Sequence, residues 1–258
     1  MEIGISLISM NQYLKNTTDY YNKRFTENKF VITDNEILRW KIIEKHLSQL
    51  LPKGPASKIT ILDFGCGTGW LSSYLSKYGE VTGVDISNKS IDAAKNKYSR
   101  INFIHLDASS GNQIEELIQN KFDIIVSSEV IEHIKEQREY INNIFSLLKD
   151  NGSFIMTTPN GKWKKNYFFG YRKNWGQPYE FWITKIGLRN LVHHKFKEYS
   201  IKTFGSNWIF NVKSYGLPDL LGNRIIRKTL EILHVKWLYE SILNQLGFGL
   251  YLIITGKK

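Results

Sequence analysis

The sequence at residues 63–69 is Asp63-Phe64-Gly65-Cys66-Gly67-Thr68-Gly69, a glycine-rich stretch that follows a β-branched, apolar run. Glycines at alternate positions let a backbone turn tightly and approach a ligand closely. The helical pattern after Gly69 places backbone N–H groups at the start of a helix, where they favour an electron-rich ligand group. The stretch therefore predicts a strand, a ligand-binding loop and a helix.

Short β-branched segments alternate with amphipathic segments around this loop. We predict strands at 59–64, 81–84, 102–106, 122–127 and 153–158, and helices at 69–77, 87–98, 136–149 and 184–194, with later strands at 199–204 and 250–255. Strands separated by helices indicate βαβ units and a parallel sheet wound on both faces, which is an α/β fold. Right-handed crossovers put the carboxyl ends of the strands at one edge, where ligands bind.

Acidic side chains follow three successive predicted strands. Asp85 ends the second strand, where it can accept hydrogen bonds from a ribose diol, and Ile86 beside it can pack on an adenine face. Asp107 ends the third strand and can accept from the adenine amino group. Asp63 could bind a ligand ammonium group or brace the loop. A single Asp at a strand end is often only a helix cap, but the combination suits an adenosyl-amino-acid.

With these motifs, residues 58–160 resemble a class I S-adenosylmethionine-dependent methyltransferase. The resemblance implies a Rossmann-like, doubly wound, mostly parallel seven-stranded sheet with an antiparallel last strand, and S-adenosyl-L-methionine as cofactor. The cofactor-binding residues that it implies are Asp63, Gly65, Cys66, Gly67, Gly69, Asp85, Ile86, Asp107, Ala108 and Ser128. An NAD-dependent oxidoreductase is disfavoured because its Gly-x-Gly-x-x-Gly fingerprint places the third glycine one residue later.

The fourth strand leads into Ser127-Ser128-Glu129-Val130-Ile131-Glu132-His133, which is similar to small-molecule O-methyltransferases such as those of ubiquinone biosynthesis. Glu129, Glu132 and His133 would share one face if this turn were helical. His133 is then a candidate general base for an acceptor hydroxyl, and Glu129 is the second candidate catalytic residue. The three side chains could instead bind a divalent cation, as the resemblance allows, or His133 could be structural.

The motifs of enzymes that methylate nucleic-acid bases are missing. No Asn/Asp-Pro-Pro-aromatic sequence follows the fourth strand, and the only cysteine, Cys66, lies inside the glycine loop rather than in a Pro-Cys nucleophile. Cys66 can equally be a small buried loop residue. We therefore predict a small-molecule acceptor methylated on oxygen. A single cysteine also excludes an intrachain disulfide and suits a reducing cytoplasm.

The net charge of +11, from 35 Lys+Arg against 24 Asp+Glu, favours anionic partners such as nucleic acid, an anionic lipid surface or a phosphorylated substrate. An RNA-directed methyltransferase and a non-catalytic S-adenosylmethionine-binding partner protein are therefore the alternative interpretations.

No secretory signal is evident in the sequence, and no segment reaches the roughly 18 apolar residues of a membrane span. We expect a cytoplasmic protein with peripheral membrane contact as an option; the sequence gives no oligomeric state.

The chain is predicted to be a single domain over 1–258, with a cofactor-binding half at 58–160. The first part, 1–51, reads as a helical segment that covers the cofactor and brings Tyr20, Tyr21 and Arg24 near it. Its last helix is predicted to begin with Asp34 as N-cap and to bury an apolar stripe. The residues of that stripe are Ile37, Leu38, Ile42, Leu47 and Leu51.

The acceptor-side half is predicted to be 161–258. Residues 161–182 interleave aromatic rings with Lys and Arg, which could stack on a sugar and neutralise phosphate, as in a nucleotide-linked or lipid-linked sugar, or could anchor a loop. The sequence around Gln177-Pro178 is similar to methyltransferases of polysaccharide biosynthesis. A helical insertion at 205–246, with apolar residues such as Trp237 and basic flanks, could be a lid, a dimer surface or an interfacial helix.

Overall fold

Strands and helices alternate along the part of the chain that the computed structural model describes, which is 12–13, 15–23, 32–51, 59–107, 114, 117, 121–163, 180–205, 228–230, 233 and 235–258. The strands are β1 Thr60–Phe64, β2 Glu80–Asp85, β3 Asn102–His105, β4 Phe122–Ser128, β5 Leu148–Pro159, β6 Glu198–Phe204 and β7 Tyr251–Lys257. The helices are α1 Asp34–Leu50, α2 Trp70–Leu75, α3 Asn88–Lys97, α4 Gln137–Leu147, α5 Lys185–Val192 and α6 Lys236–Gln245, and residues 15–23 are also helical.

The seven strands form one sheet in the order β3-β2-β1-β4-β5-β7-β6. Strands β1 to β5 pair in parallel, and β7 is antiparallel to both β5 and β6. This confirms the predicted mostly parallel, seven-stranded α/β sheet with an antiparallel last strand. The chain order reverses between β1 and β4, so the loops that follow these two strands diverge and leave a crevice at the carboxyl edge of the sheet.

Both faces of the sheet are buried, which is why its central strands read as continuous apolar runs. In β1, the side chains of Leu62 and Phe64 enter the core under α4 and α5, whereas Ile61 enters the core under α1 and α2. Phe64 stacks on Tyr140 of α4 with ring centroids 5.0 Å apart. The alternating side chains of a single strand therefore join both helical layers to the sheet.

Helix α1 differs from its prediction in its cap and in its buried face. Thr33, not Asp34, is the N-cap, because Thr33 and Glu36 form a reciprocal capping box. The buried face contains Trp40, and its ring packs 5.0 Å from that of Tyr74, whereas Ile37 of the predicted stripe is 41% exposed. The face that α1 buries therefore follows this aromatic contact with the neighbouring helix α2. Strand β5 begins at Leu148, five residues before its predicted start, and the other helix and strand bounds agree within a few residues.

Some predictions fall on residues that the structure does not describe. They include Arg24, Ala108, Gln177-Pro178 and most of 161–182, of which 161–163 and 180–182 are described. Within the predicted insertion, the described residues are 205, 228–230, 233 and 235–246. Among the described helices, none has both the length and the apolar character needed to cross a membrane.

Candidate cofactor and acceptor site

A cavity lies in the crevice where β1 and β4 diverge. Its wall contains seven of the predicted site residues: Gly65, Gly67, Asp85, Ile86, Asp107, Glu129 and His133. Tyr21, which was predicted near the cofactor, also lines it. The wall is completed by residues that were not predicted: Tyr13, Thr17, Val84, Leu106, Val130 and Ile134. The strand ends therefore bring the sequence-predicted groups around one space.

The glycine loop is held in a conformation that side chains disfavour. Gly65, Gly67 and Gly69 have φ values of 91°, 53° and 77°. The N–H groups of Gly65 and Cys66 both donate to the Val84 carbonyl, at 2.8 and 2.9 Å, which draws the loop onto the end of β2. A Cβ on Gly65 would lie 2.3 Å from a methyl carbon of Val130. The backbone can therefore line the cavity at Gly65 only because this position has no side chain.

Asp85 joins the glycine loop to the next turn. Its Oδ2 accepts from the Gly67 N–H and its Oδ1 accepts from the Ser87 N–H, both at 2.9 Å. Burial raises the pKa of Asp85, and these two N–H groups oppose the shift. Each carboxylate oxygen has a second lone pair, so both can still accept from the hydroxyls of a ribose. Asp107 and Ile86 line the wall beside it, where an adenine would follow.

Asp63 is turned away from the cavity. It is buried, is not among the wall residues, and its Oδ2 accepts from the Ser72 hydroxyl of α2 at 2.5 Å. Burial raises its pKa to about 7, and the hydrogen bond from Ser72 opposes the shift. Of the two roles predicted for Asp63, this geometry fits bracing of the loop against α2 rather than contact with a ligand ammonium group.

We expect Asp63 to make the stability of the ligand-free protein pH-dependent. Its pKa is about 7 in the folded protein against an ordinary 3.8, so between these values the folded state keeps a proton that the unfolded chain has lost. The free energy of unfolding should therefore fall as pH rises through this window. Asp63→Asn keeps an oxygen for Ser72 and should flatten that decline in denaturant titrations, whereas Asp92→Asn, at an exposed position, should not. Equal slopes for both variants would contradict the assignment.

Three further predicted cofactor residues lie outside the wall and pack within the fold. Cys66 is buried in a small core with Phe103 and Ala94, and burial raises the pKa of its thiol. A Cβ on Gly69 would lie 2.6 Å from the Phe103 ring, so Gly69 permits close packing. The Ser128 hydroxyl is 3.0 Å from that of Thr157. Contact of these three residues with the cofactor remains a prediction.

The turn after β4 is not the helix that would place three acid–base groups on one face. Only Ile131–His133 is helical, as a 3-10 turn, and Glu129 precedes it with a φ of 60°. Glu129 and His133 line the cavity, whereas Glu132 is directed into the fold, where its Oε2 accepts from the Thr158 hydroxyl at 3.0 Å. Among the residues that the structure describes, no three His, Cys, Asp or Glu side chains are arranged to hold a metal ion.

Glu129 faces a cation that the sequence did not reveal. Arg39 of α1 lies with its Nη1 4.0 Å from Glu129 Oε2, and its Nη2 donates to Glu36 at 3.1 Å. Burial raises the pKa of Glu129 to about 8, and Arg39 opposes this shift. Glu129 Oε1 and Arg39 Nε are both buried without a hydrogen-bond partner. The pair therefore retains unused hydrogen-bonding capacity beside the cavity.

The N-terminal residues form a roof over the cavity. Tyr13, Thr17 and Tyr21 line it at a spacing of four residues, so one helical face is used. The Tyr13 hydroxyl donates to the His133 carbonyl, and the Tyr21 ring meets the edge of the His133 ring at 5.8 Å. The Ser87 hydroxyl donates to Asn22 at 2.8 Å, beside the turn that holds Asp85. The spacing of four residues between Tyr13, Thr17 and Tyr21 is the sequence pattern from which this helical face could have been predicted.

Comparison with known proteins agrees with this geometry. A family model described as a methyltransferase domain matches residues 55–201. The ubiquinone biosynthesis O-methyltransferase of Rickettsia canadensis is 36% identical over 131 residues, which cover 50% of this chain and 53% of that protein. That of Coxiella burnetii is 39% identical over 111 residues, covering 40% and 45%. The chain thus spans about half the length of the curated relatives that it matches.

Solved structures share the fold. The plantazolicin methyltransferase, in complex with a triazolic desmethylPZN analogue and S-adenosylhomocysteine, has a TM-score of 0.59 at 18% identity, and the match covers 95% of this chain and 96% of that chain. The Synechocystis magnesium protoporphyrin IX methyltransferase, with bound S-adenosylmethionine, has a TM-score of 0.53 at 19% identity and covers 75% and 89%. The fold is that of a class I S-adenosylmethionine-dependent methyltransferase. The chain belongs to the methyltransferase domain family, and its cofactor is S-adenosyl-L-methionine.

Proposed function

We propose that this methyltransferase transfers the methyl group to a hydroxyl oxygen of a small-molecule acceptor. The observation that carries the proposal is that His133 and Glu129 share one cavity wall with Asp85 and Asp107. An adenosyl group held by the two aspartates would therefore lie in the same space as a candidate base. The names of the Rickettsia and Coxiella relatives, which are O-methyltransferases, support oxygen as the methylated atom.

The chain's own residues supply binding and alignment. Asp85 would accept from the ribose hydroxyls and Asp107 from the adenine amino group, while the bare backbone of the glycine loop approaches the amino-acid end. Bound S-adenosylmethionine would supply an electrophilic methyl group, because its sulfonium sulfur is a good leaving group that departs as a neutral thioether. The roof formed by Tyr13, Thr17 and Tyr21 limits how an acceptor can approach, and alignment of this kind can supply much of the rate enhancement.

In this proposal, His133 takes the proton of the acceptor hydroxyl, and its surroundings support that role. The Tyr21 ring contacts its edge, and its Nε2 lies 3.7 Å from Glu132 Oε1. Burial raises the pKa of Glu132 to about 7, and the Thr158 hydroxyl fixes its other oxygen. When ionised, this carboxylate favours the protonated imidazole that forms on proton transfer. Glu129, with Arg39 opposite, is a second carboxyl group available to the acceptor.

Replacement of His133 by alanine should lower kcat by about tenfold or more while the affinity for S-adenosylhomocysteine stays within about twofold. The acceptor for this assay would come from a metabolite library screened for homocysteine release. Added imidazole should restore part of the lost rate, because it can replace the missing base. His193→Ala, at an exposed histidine of the acceptor-side half, is the matched control. Full activity in His133→Ala would show that alignment alone suffices and would exclude His133 as the base.

The charge of the cavity bears on the acceptor class and on the RNA alternative. Among the wall residues that the structure describes, none is Lys or Arg, and Asp85, Asp107 and Glu129 are acids. This favours an uncharged hydroxyl at the reacting end, in a sugar, a lipid-linked sugar or a quinone-type ring, over a phosphate. The net charge of +11 keeps an RNA acceptor as the second candidate, and tight, salt-sensitive RNA binding would support it.

A cytoplasmic location is also part of the proposal, because the single cysteine of the sequence, Cys66, suits a reducing compartment.

A further inference from the structure

The half of helix α5 that faces solvent is cationic. At about 100° per residue, six exposed residues of α5 and of the turn that ends it fall within half of the helix circumference. They are Lys185, Ile186, Arg189, Asn190, His193 and His194. On the opposite half, Leu188 and Val192 are fully buried in the core under α4 and α5. The buried half therefore fixes the direction in which the cationic half points.

No acidic residue interrupts this surface along the chain. Residues 181–197 contain four Lys and Arg residues, all of them exposed, and no Asp or Glu. Among helices α1 to α6, α5 is the only one that carries cations without an acid. The positive charge of α5 is therefore local to this helix and does not merely reflect the net charge of the chain.

Helix α4 adds one cation beside this surface. Partial desolvation, His193 and Arg138 of α4 lower the pKa of His194, so the charge of Arg138 acts at the end of α5. The neighbouring acid, Glu139, accepts from Asn142 within α4 at 3.2 Å. Even if the charges of Arg138 and Glu139 cancel, the surface of α5 keeps the four positive charges of its own stretch.

One aliphatic side chain stands within the cationic surface. Ile186 is 72% exposed, and no other large hydrophobic side chain in the described part of the chain is more exposed. It lies about 60° around the helix from Arg189 and about 100° from Lys185. Nucleic acid presents phosphates but no apolar region for such a side chain, whereas an anionic bilayer presents both. A second copy of the chain would place like charges opposite each other across a symmetric interface, which is unfavourable.

Helix α5 begins next to the roof of the cavity. The Phe181 N–H donates to the Glu132 carbonyl at 2.6 Å, and the Gln137 side chain donates to the Phe181 carbonyl at 2.8 Å. The Phe181 ring, which is 37% exposed, lies 6.3 Å from the Tyr13 ring of the roof. A surface that contacts α5 along its length would therefore reach the roof of the cavity.

We propose that the exposed half of α5 docks the protein on an anionic membrane, with Lys185 and Arg189 against the headgroup phosphates and Ile186 entering between them. Because a single aliphatic side chain enters the headgroup region, electrostatic attraction supplies most of the binding, and the association is reversible and salt-sensitive. The proposal does not rest on the acceptor being a hydroxyl, and its failure would leave the proposed function untouched.

Sedimentation of the full chain with vesicles tests the proposal. We expect binding to vesicles that contain phosphatidylglycerol, little binding to phosphatidylcholine alone, and loss of binding as salt is raised. Lys185→Gln/Arg189→Gln should weaken binding to the anionic vesicles by about tenfold or more. Lys95→Gln/Lys97→Gln is the matched control, because it removes the same charge from exposed positions on α3. Its vesicle binding should stay within about twofold of the wild-type value.

A third variant separates a membrane from other polyanions. Ile186→Ser should weaken vesicle binding by about threefold, because the side chain no longer enters the headgroup region. Calorimetry with S-adenosylhomocysteine should show that every variant retains cofactor binding and is therefore folded.

Four results would overturn the proposal. They are failure of the wild-type protein to bind phosphatidylglycerol vesicles at low salt, equal binding by the α5 and α3 double variants, unchanged vesicle binding by Ile186→Ser, and total RNA bound through Lys185 and Arg189 more tightly than the vesicles. The last result would identify nucleic acid as the partner of α5.

Discussion

Replacing Asp85 with alanine is expected to weaken binding of S-adenosylhomocysteine by about 100-fold or more. Two effects combine, because the Asp85 carboxylate is proposed to accept from the ribose hydroxyls and also accepts from the Gly67 and Ser87 N–H groups at 2.9 Å. Hydrogen bonds to a charged group each contribute about 1.5–3 kcal/mol, so loss of the two ribose contacts alone accounts for a change of about 100-fold or more in affinity. Loss of the loop contact adds to it. Isothermal titration calorimetry measures the affinity directly.

Two further variants separate these effects on ligand binding from a general loss of folded structure. Asp85→Asn keeps one acceptor oxygen and should bind more tightly than Asp85→Ala but less tightly than the wild-type protein. Asp92→Ala, at an exposed position on α3, should bind as the wild-type protein does. Thermal unfolding of each ligand-free variant checks that the fold is intact. Unchanged affinity in a folded Asp85→Ala variant would contradict the placement of the ribose.

Gly65→Ala is expected to weaken cofactor binding by a similar factor. A non-glycine residue at positive φ costs about 1–2 kcal/mol, and Gly65 has a φ of 91°. The added Cβ would also lie 2.3 Å from Val130 Cγ2, and such overpacking typically costs about 1–3 kcal/mol. Because the loop lines the cavity, its displacement should reduce affinity by about 100-fold as well as lower the melting temperature.

The two causes can be separated with further variants. Val130→Ala in the Gly65→Ala background removes the clash and should recover part of the affinity, while the strain from φ persists. Gly247→Ala is the matched control, because Gly247 has a φ of 82° but nothing within 4 Å of its added Cβ. Gly247→Ala should lower the free energy of unfolding slightly and leave the affinity for the cofactor unchanged. Wild-type affinity in Gly65→Ala would show that the loop does not approach the cofactor closely.

The sheet and the adenosine side of the site were predictable from local sequence. Each of the predicted strands carries its own apolar pattern, and the glycine loop, Asp85 and Asp107 occupy fixed positions at strand ends. The carboxyl ends of parallel strands lie at one edge of a sheet, so residues that follow successive strands in the sequence are close together in the structure. The predicted helix at 87–98 likewise begins where the structure has it, with the Ser87 side chain as the N-cap that accepts from the Ser90 N–H.

The acceptor side depends on contacts that local patterns do not encode. Spacing alone suggested one face for Glu129, Glu132 and His133, but the positive φ of Glu129 separates Glu132 from the other two. Arg39 reaches Glu129 from a helix about 90 residues earlier in the chain, and no periodicity signals such a pair. Asp63 had two predicted roles, and only the position of Ser72 on α2 distinguishes them.

Methyl transfer to a small-molecule hydroxyl is the central claim, and isotope labelling tests it most directly. The protein would be incubated with S-adenosylmethionine labelled with carbon-13 in the methyl group, separately with a metabolite extract and with total RNA, and the products examined by NMR. We predict a labelled methyl on oxygen in the metabolite fraction and none in RNA, with the signal lost in Asp85→Ala. Labelled RNA, or a label only on nitrogen or carbon, would contradict the account.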